Sequence, residues 1–195
     1  MPQLVVRTRS GRVESIHHGY ICVTDSDGKI VYSIGNPQAR IFLRSSGKPI
    51  IACALVKSGA MKKFNITLKE LAVICSSHEG QAVHRRLIKS VLEKIGAEEK
   101  DLECGHKYPE NGKVKDALIK LGMRPTPIFS NCSGKHSGII ALCRYYGFPV
   151  EGYTREDHPV QHIIRGLFAE LLDLGTEDVI TGTDGCGLPT CNLSL

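Results

Sequence analysis

Apolar and polar positions alternate at two periods along this chain, short in the first forty residues and helical thereafter. Residues 4–9 and 12–34 read as β-structure, with Val13, Ile16, Tyr20, Cys22 and Val23 in one run and Ile30-Val31-Tyr32-Ser33-Ile34 in the next. Asp25-Ser26-Asp27-Gly28-Lys29 separates them as a hairpin turn, and Gly35-Asn36-Pro37 closes the unit. A strand is expected at 39–43, then a helix entered at Ser45 and ending near Ser58-Gly59. Thr67 with Glu70 three residues on predicts a capping box for a helix over 67–75. Val83, Leu87, Ile88, Val91, Leu92 and Ile95 share one face of a helix over 81–95, which Gly96 ends. Residues 97–127 are polar and turn-rich, with a short helix at about 112–121. Another helix follows Ser137-Gly138 and stops at Gly147. The last starts with Asp157 as N-cap and Pro159 in the first turn.

At 195 residues, with 42% hydrophobic and 23% charged positions, the chain is of ordinary globular composition. The net charge of +5 is scattered and densest in the pairs Lys62-Lys63 and Arg85-Arg86, with no tryptophan and no basic stripe, so nucleic acid is not an expected partner. No run reaches the roughly 18 apolar residues of a membrane span, and no charged-then-apolar leader opens the chain. Eight cysteines without an export signal suggest a reducing, cytoplasmic setting. Their spacing contains no Cys-x-x-Cys, and Cys22, Cys53, Cys75 and Cys143 read as small buried hydrophobes.

Three stretches carry candidate chemistry. In Arg44-Ser45-Ser46-Gly47-Lys48-Pro49, a serine and a lysine stand three apart where a strand gives way to a helix. One face a turn apart would let a desolvated amine take the hydroxyl proton, as in Ser-x-x-Lys hydrolases. An N-cap serine followed by a solvated lysine is the plainer reading. In Asn131-Cys132-Ser133-Gly134-Lys135-His136, small and reactive residues open a helix. In Thr183-Asp184-Gly185-Cys186-Gly187, glycines surround two ionisable side chains after a strand-like 178–180. Cys132 and Cys186 are two soft ligands for a metal, with Lys135, His136 and Asp184 the nearest candidates to complete a set. Ordinary buried cysteines are the competing reading. Glu14 and His17-His18 are either a polar sheet edge or a pair reaching toward a site.

Together with Arg12-Val13-Glu14-Ser15-Ile16-His17 and Ser76-Ser77-His78-x-Gly80, these motifs resemble the L-asparaginase II family of the Rhizobium etli inducible type, in order and over nearly the whole chain. The resemblance implies an α+β fold similar to that of serine β-lactamases and glutaminases, an antiparallel sheet packed with helices. It also implies hydrolysis of L-asparagine to L-aspartate and ammonia. Ser45 and Lys48 would be one Ser-Lys pair, Ser77 the serine of a second, and Ser45 the nucleophile, with Ser77 as an alternative nucleophile or a relay. Cys132, Lys135 and Cys186 would be zinc ligands, and Arg44, His136 and Asp184 would line the substrate site. A homodimer is implied. So is a domain longer than this chain, residues 1–195 being its N-terminal portion and the second serine's lysine lying beyond. A β-lactamase or penicillin-binding protein would need Ser-Asp-Asn and Lys-Thr-Gly, and neither tripeptide occurs. An incomplete or non-catalytic protein that binds zinc and a small amino acid is the alternative of another class.

Overall fold

The computed structural model describes residues 1–186 in full and the backbone course of 189–194. It is of mixed α+β class with small antiparallel sheets, and its chain divides into two compact units, Met1–Phe42 with Asn192–Leu195, and Leu43–Cys191.

The first unit is made of strands. β1 (Gln3–Arg9) and β2 (Arg12–His18) form a hairpin, and β3 (Ile21–Thr24) and β4 (Ile30–Ile34) form another. Ser10 and Gly11 join the first pair with φ of 49° and 75°, the double left-handed turn that suits strand twist. Asp25 ties the second turn, its Oδ1 accepting from the N–H groups of Asp27 at 3.0 Å and Lys29 at 2.9 Å. The run expected over 12–34 is therefore interrupted at Gly19-Tyr20. Glu14 lies between Arg7 and Arg9 and bonds both, at 3.1 and 2.6 Å, while His17 and His18 are exposed. β5 (Arg40–Phe42) pairs antiparallel with β7 (Pro189–Ser194), in the register Arg40 to Ser194.

The second unit is helical: α1 (Lys48–Ser58), α2 (Ala60–Lys63), α3 (Leu68–Cys75), α4 (Ala82–Lys94), α5 (Gly112–Lys120), α6 (Ser133–Tyr146) and α7 (Pro159–Leu171), then strand β6 (Ile180–Thr183). β6 starts two residues later than the hydrophobic run suggested and takes in Gly182. Helix α6 is the axis of this unit. Every residue from Ser133 to Cys143 is buried, and α1, α3, α4 and α7 pack around it. Two glycines a turn apart let α3 come close. A side chain on Gly134 would run into the Val73 carbonyl, and one on Gly138 would lie 2.7 Å from Ile74 Cγ2. The core is filled by Leu55, Ile74, Ile88, Val91, Ile139, Ile140, Leu142 and Val160.

The capping box of α3 forms as expected, with Thr67 accepting from Glu70 N–H and Glu70 accepting from Thr67 N–H. The cap of α7 differs: His158, not Asp157, accepts from Val160 N–H at 3.2 Å, because Asp157 is drawn into an ion pair with Arg155 at 2.8 Å. Among the four cysteines read as core, Cys143 is buried, Cys22 and Cys75 are half-buried and Cys53 is exposed, on the outer side of α1. No helix among the described residues is long and apolar enough to cross a membrane.

Candidate active site

Ser45 does not act as the expected N-cap. It lies in a 3-10 turn, Arg44–Gly47, that runs directly into α1, and the cap of neither element is closed by a side chain. Arg44 just before it has φ of 49°, a left-handed conformation that a non-glycine residue adopts only under constraint from its surroundings. Lys48 opens α1 and is only 2% exposed. Its Nζ does not bond Ser45 directly. It donates to the Ser76 carbonyl at 3.0 Å and to Ser77 Oγ at 2.7 Å, and Ser77 Oγ in turn lies 2.9 Å from Ser45 Oγ. Packing of α3 on α1 and α6 brings the Ser76–Gly80 loop to this place. Burial, supported by the nearby Lys135 and opposed by Cys132, lowers the Lys48 pKa from its ordinary 10.5.

Facing this chain is the second group. Lys135 Nζ donates to Asp184 Oδ2 at 2.5 Å, with the two side chains 6% and 14% exposed, and Asp184 Oδ1 accepts the Cys186 N–H at 2.7 Å. Cys132 and Cys186 meet as a hydrogen-bonded pair of sulfurs that share one titration. The Cys132 thiol, with smaller help from His136 and Lys107, works against burial to lower the Cys186 pKa, while the same bond and burial push Cys132 up. Lys107 reaches in from the 97–127 segment to donate to Cys186 Sγ at 3.4 Å and to the Gly185 carbonyl.

His136 lies behind these groups, with no exposed surface. Tyr153, also fully buried, accepts from Glu103 N–H at 2.8 Å and shares a second hydrogen bond with His136 Nδ1, 2.6 Å away. His136 Nε2 closes no hydrogen bond of good geometry among the described residues. Burial holds the ring neutral.

These groups enclose a cavity of about 110 Å³ lined by Arg44, Ser45, Lys48, Lys107, Asn131, Cys132, Lys135, Asp184, Gly185 and Cys186. Of the residues singled out in the sequence, the structure thus gathers Arg44, Ser45, Lys48, Cys132, Lys135, Asp184 and Cys186 on one cavity. Ser77 joins them through its bonds to Lys48 and Ser45, and His136 stands behind the wall. Gly187 and Leu188 of the glycine-rich stretch lie outside the described residues. Lys107 and Tyr153 were not foreseen: the first stands alone in a polar stretch, the second is an isolated aromatic after Gly152, and neither has a spacing partner.

A metal is a further question. No cluster of three or more His, Cys, Asp or Glu side chains among the described residues is arranged to hold one. The Cys132 and Cys186 sulfurs and the adjacent Lys135 amine are nevertheless donors of the kind that suits a soft divalent cation, once the thiols lose their protons and Lys135 leaves Asp184.

A family model described as L-asparaginase II matches residues 5–195. Among curated proteins compared with the chain, none matches it.

Proposed function

The chain belongs to the L-asparaginase II family, and from that premise we propose that it hydrolyses the side-chain amide of L-asparagine to L-aspartate and ammonia, with Ser45 as nucleophile. The observation that carries this reading is the hydrogen-bonded chain Lys48–Ser77–Ser45, which starts at a buried amine and ends at a hydroxyl lining the cavity.

With Lys48 neutral, Ser45 donates its proton to Ser77 Oγ as it attacks the amide carbonyl, and Ser77 passes its own proton to Lys48 Nζ. The resulting ammonium returns a proton to the departing nitrogen, and ammonia leaves. Water then gives a proton through Ser77 to Lys48 as it attacks the Ser45 ester, and that proton returns through Ser77 to Ser45 Oγ as the ester bond breaks and aspartate leaves. Arg44 supplies charge for the substrate α-carboxylate and Asp184 for its α-ammonium, which favours a free amino acid over a neutral amide. Cys132, Lys135 and Cys186 would hold zinc, and a bound zinc would supply a fixed positive anchor for a polar substrate group.

Ammonia release from L-asparagine, together with intact-mass detection of the acyl-enzyme, tests the assignment. Ser45→Ala is expected to lower kcat by ~10³-fold or more and to abolish the adduct. A Ser45→Ala protein that turns over at the wild-type rate overturns it. An adduct mapped to Ser77 exchanges the two serines' roles.

A further inference from the structure

Ser77 sits in a loop that its own side chain ties to nothing outside the proton chain. Its hydroxyl makes the two bonds of the proton chain, and the residue is exposed. The loop is instead held at its flanks. On one side Ser76 closes the end of α3, donating from its N–H and its hydroxyl to the Val73 carbonyl at 3.2 and 3.1 Å, while its own carbonyl accepts from Lys48.

On the other side stands His78, 3% exposed. Its N–H donates to the Asn131 carbonyl at 3.2 Å. Its Nδ1 accepts the Gly80 N–H at 3.1 Å, which places the ring proton on Nε2, and Nε2 donates to Ser133 Oγ at 2.9 Å. Ser133 has a use for its own proton in the carbonyls of Ile128 and Ser130, at 3.0 and 2.9 Å. Every hydrogen in this chain therefore has one consistent direction. Gly80 shows how tightly the loop is pressed there: it has φ of 71°, and a side chain on it would lie 2.6 Å from Pro109 Cβ and 3.0 Å from the Phe129 carbonyl.

No step of the amide chemistry needs this ring, yet it joins the segment carrying Ser77 to the segment carrying Cys132. We propose that His78 is a positioning residue that holds Ser77 Oγ between Lys48 Nζ and Ser45 Oγ. This inference rests on the relay role given to Ser77 above. Histidine suits the task because one ring carries an acceptor close to the backbone and a donor further out. Asparagine reproduces only the near acceptor, and glutamine only the far donor.

The experiment compares wild type with His78→Asn, His78→Gln and His78→Phe by kcat, KM and thermal unfolding, and by crystal structures of wild type and His78→Phe. The expected result is a fall in kcat on the order of 10²-fold in His78→Phe and smaller falls in the two half-clamp variants. KM should stay within about 2-fold, because Arg44 and Asp184 do not touch the ring. In the crystal, Ser77 Oγ of His78→Phe should lose at least one of its two partners. A folded His78→Phe with wild-type kcat per molecule, whatever its melting temperature, overturns the proposal. So does a crystal structure that keeps both bonds of Ser77. Should His78→Phe not fold, the Asn and Gln variants decide by the same kcat criterion. Ser77→Ala separates the two hypotheses. If it keeps full activity, or if wild type does not hydrolyse asparagine, the relay reading fails, and the crystal comparison still decides whether His78 places Ser77.

Discussion

Glu70 offers the most direct energetic test of how the helix leading to Ser77 is anchored. Its side chain is 3% exposed and accepts from Lys94 Nζ at 2.8 and 2.7 Å, from Thr67 N–H at 2.6 Å and from Thr67 Oγ1 at 2.8 Å. Burial alone would raise its pKa. The Lys94 ammonium and the Thr67 donors outweigh that and push the carboxyl from 4.5 down to about 2. A depressed carboxylate contributes stability that is complete above its unfolded pKa and is lost as pH falls through the folded one. The window is therefore pH 4.5 down to about 2. A displacement of that size is worth about 3 kcal/mol at pH 6 and about 1 kcal/mol at pH 3. Glu70→Gln has the shape of the protonated acid and removes this ionic contribution at every pH. Urea unfolding of both proteins at pH 6 and pH 3 measures it. The expected stability difference is about 3 kcal/mol at the higher pH, shrinking to about 1 kcal/mol at the lower. A difference below ~0.5 kcal/mol at pH 6, or one that does not shrink on acidification, refutes the reasoning.

Three further outcomes are expected. Because burial lowers the Lys48 pKa, kcat/KM for L-asparagine should rise with pH through a limb below 10.5 and then level off, and Lys48→Met should lose the activity that defines it; a limb at the ordinary lysine value contradicts the desolvated base. Gly134→Ala forces a methyl group onto the Val73 carbonyl and should cost about 1–3 kcal/mol in urea unfolding, so an unchanged or more stable protein would show that α3 and α6 are less closely packed. Zinc measured by mass spectrometry should be stoichiometric in wild type and lost in both Cys132→Ser and Cys186→Ser; metal retained by both variants excludes the thiol pair as its ligands.

Local chemistry was readable from the sequence wherever one short segment decides the outcome. Thr67 and Glu70 cap a helix with neighbours three residues away, and Asp25 folds its own turn. Ser45 and Lys48 were recognisable as a pair, but the way they connect was not. That depends on Ser77, brought in by packing of α3 against α1 and α6, which no spacing within residues 44–49 encodes. The same limit applies to Lys107 and Tyr153, whose partners Cys186 and His136 are far away in the chain. Asp157 shows a local contest decided by a competitor, since Arg155 takes the carboxylate that would otherwise have capped α7. Cys53 illustrates another limit: an apolar run does not say which side of a helix faces outward.

The burial of α6 has a consequence in time as well as in space. Its amides from Ile139 to Cys143, past the first turn and beneath the surrounding helices, have no path to solvent while those helices stay in place. Their exchange with deuterium should therefore follow the slowest, global opening of this unit rather than local fraying. The α6 side of the cavity is therefore its most firmly held wall. Exchange of ligand must proceed on the opposite side, past Arg44, Ser45 and Lys107, where the lining residues are exposed.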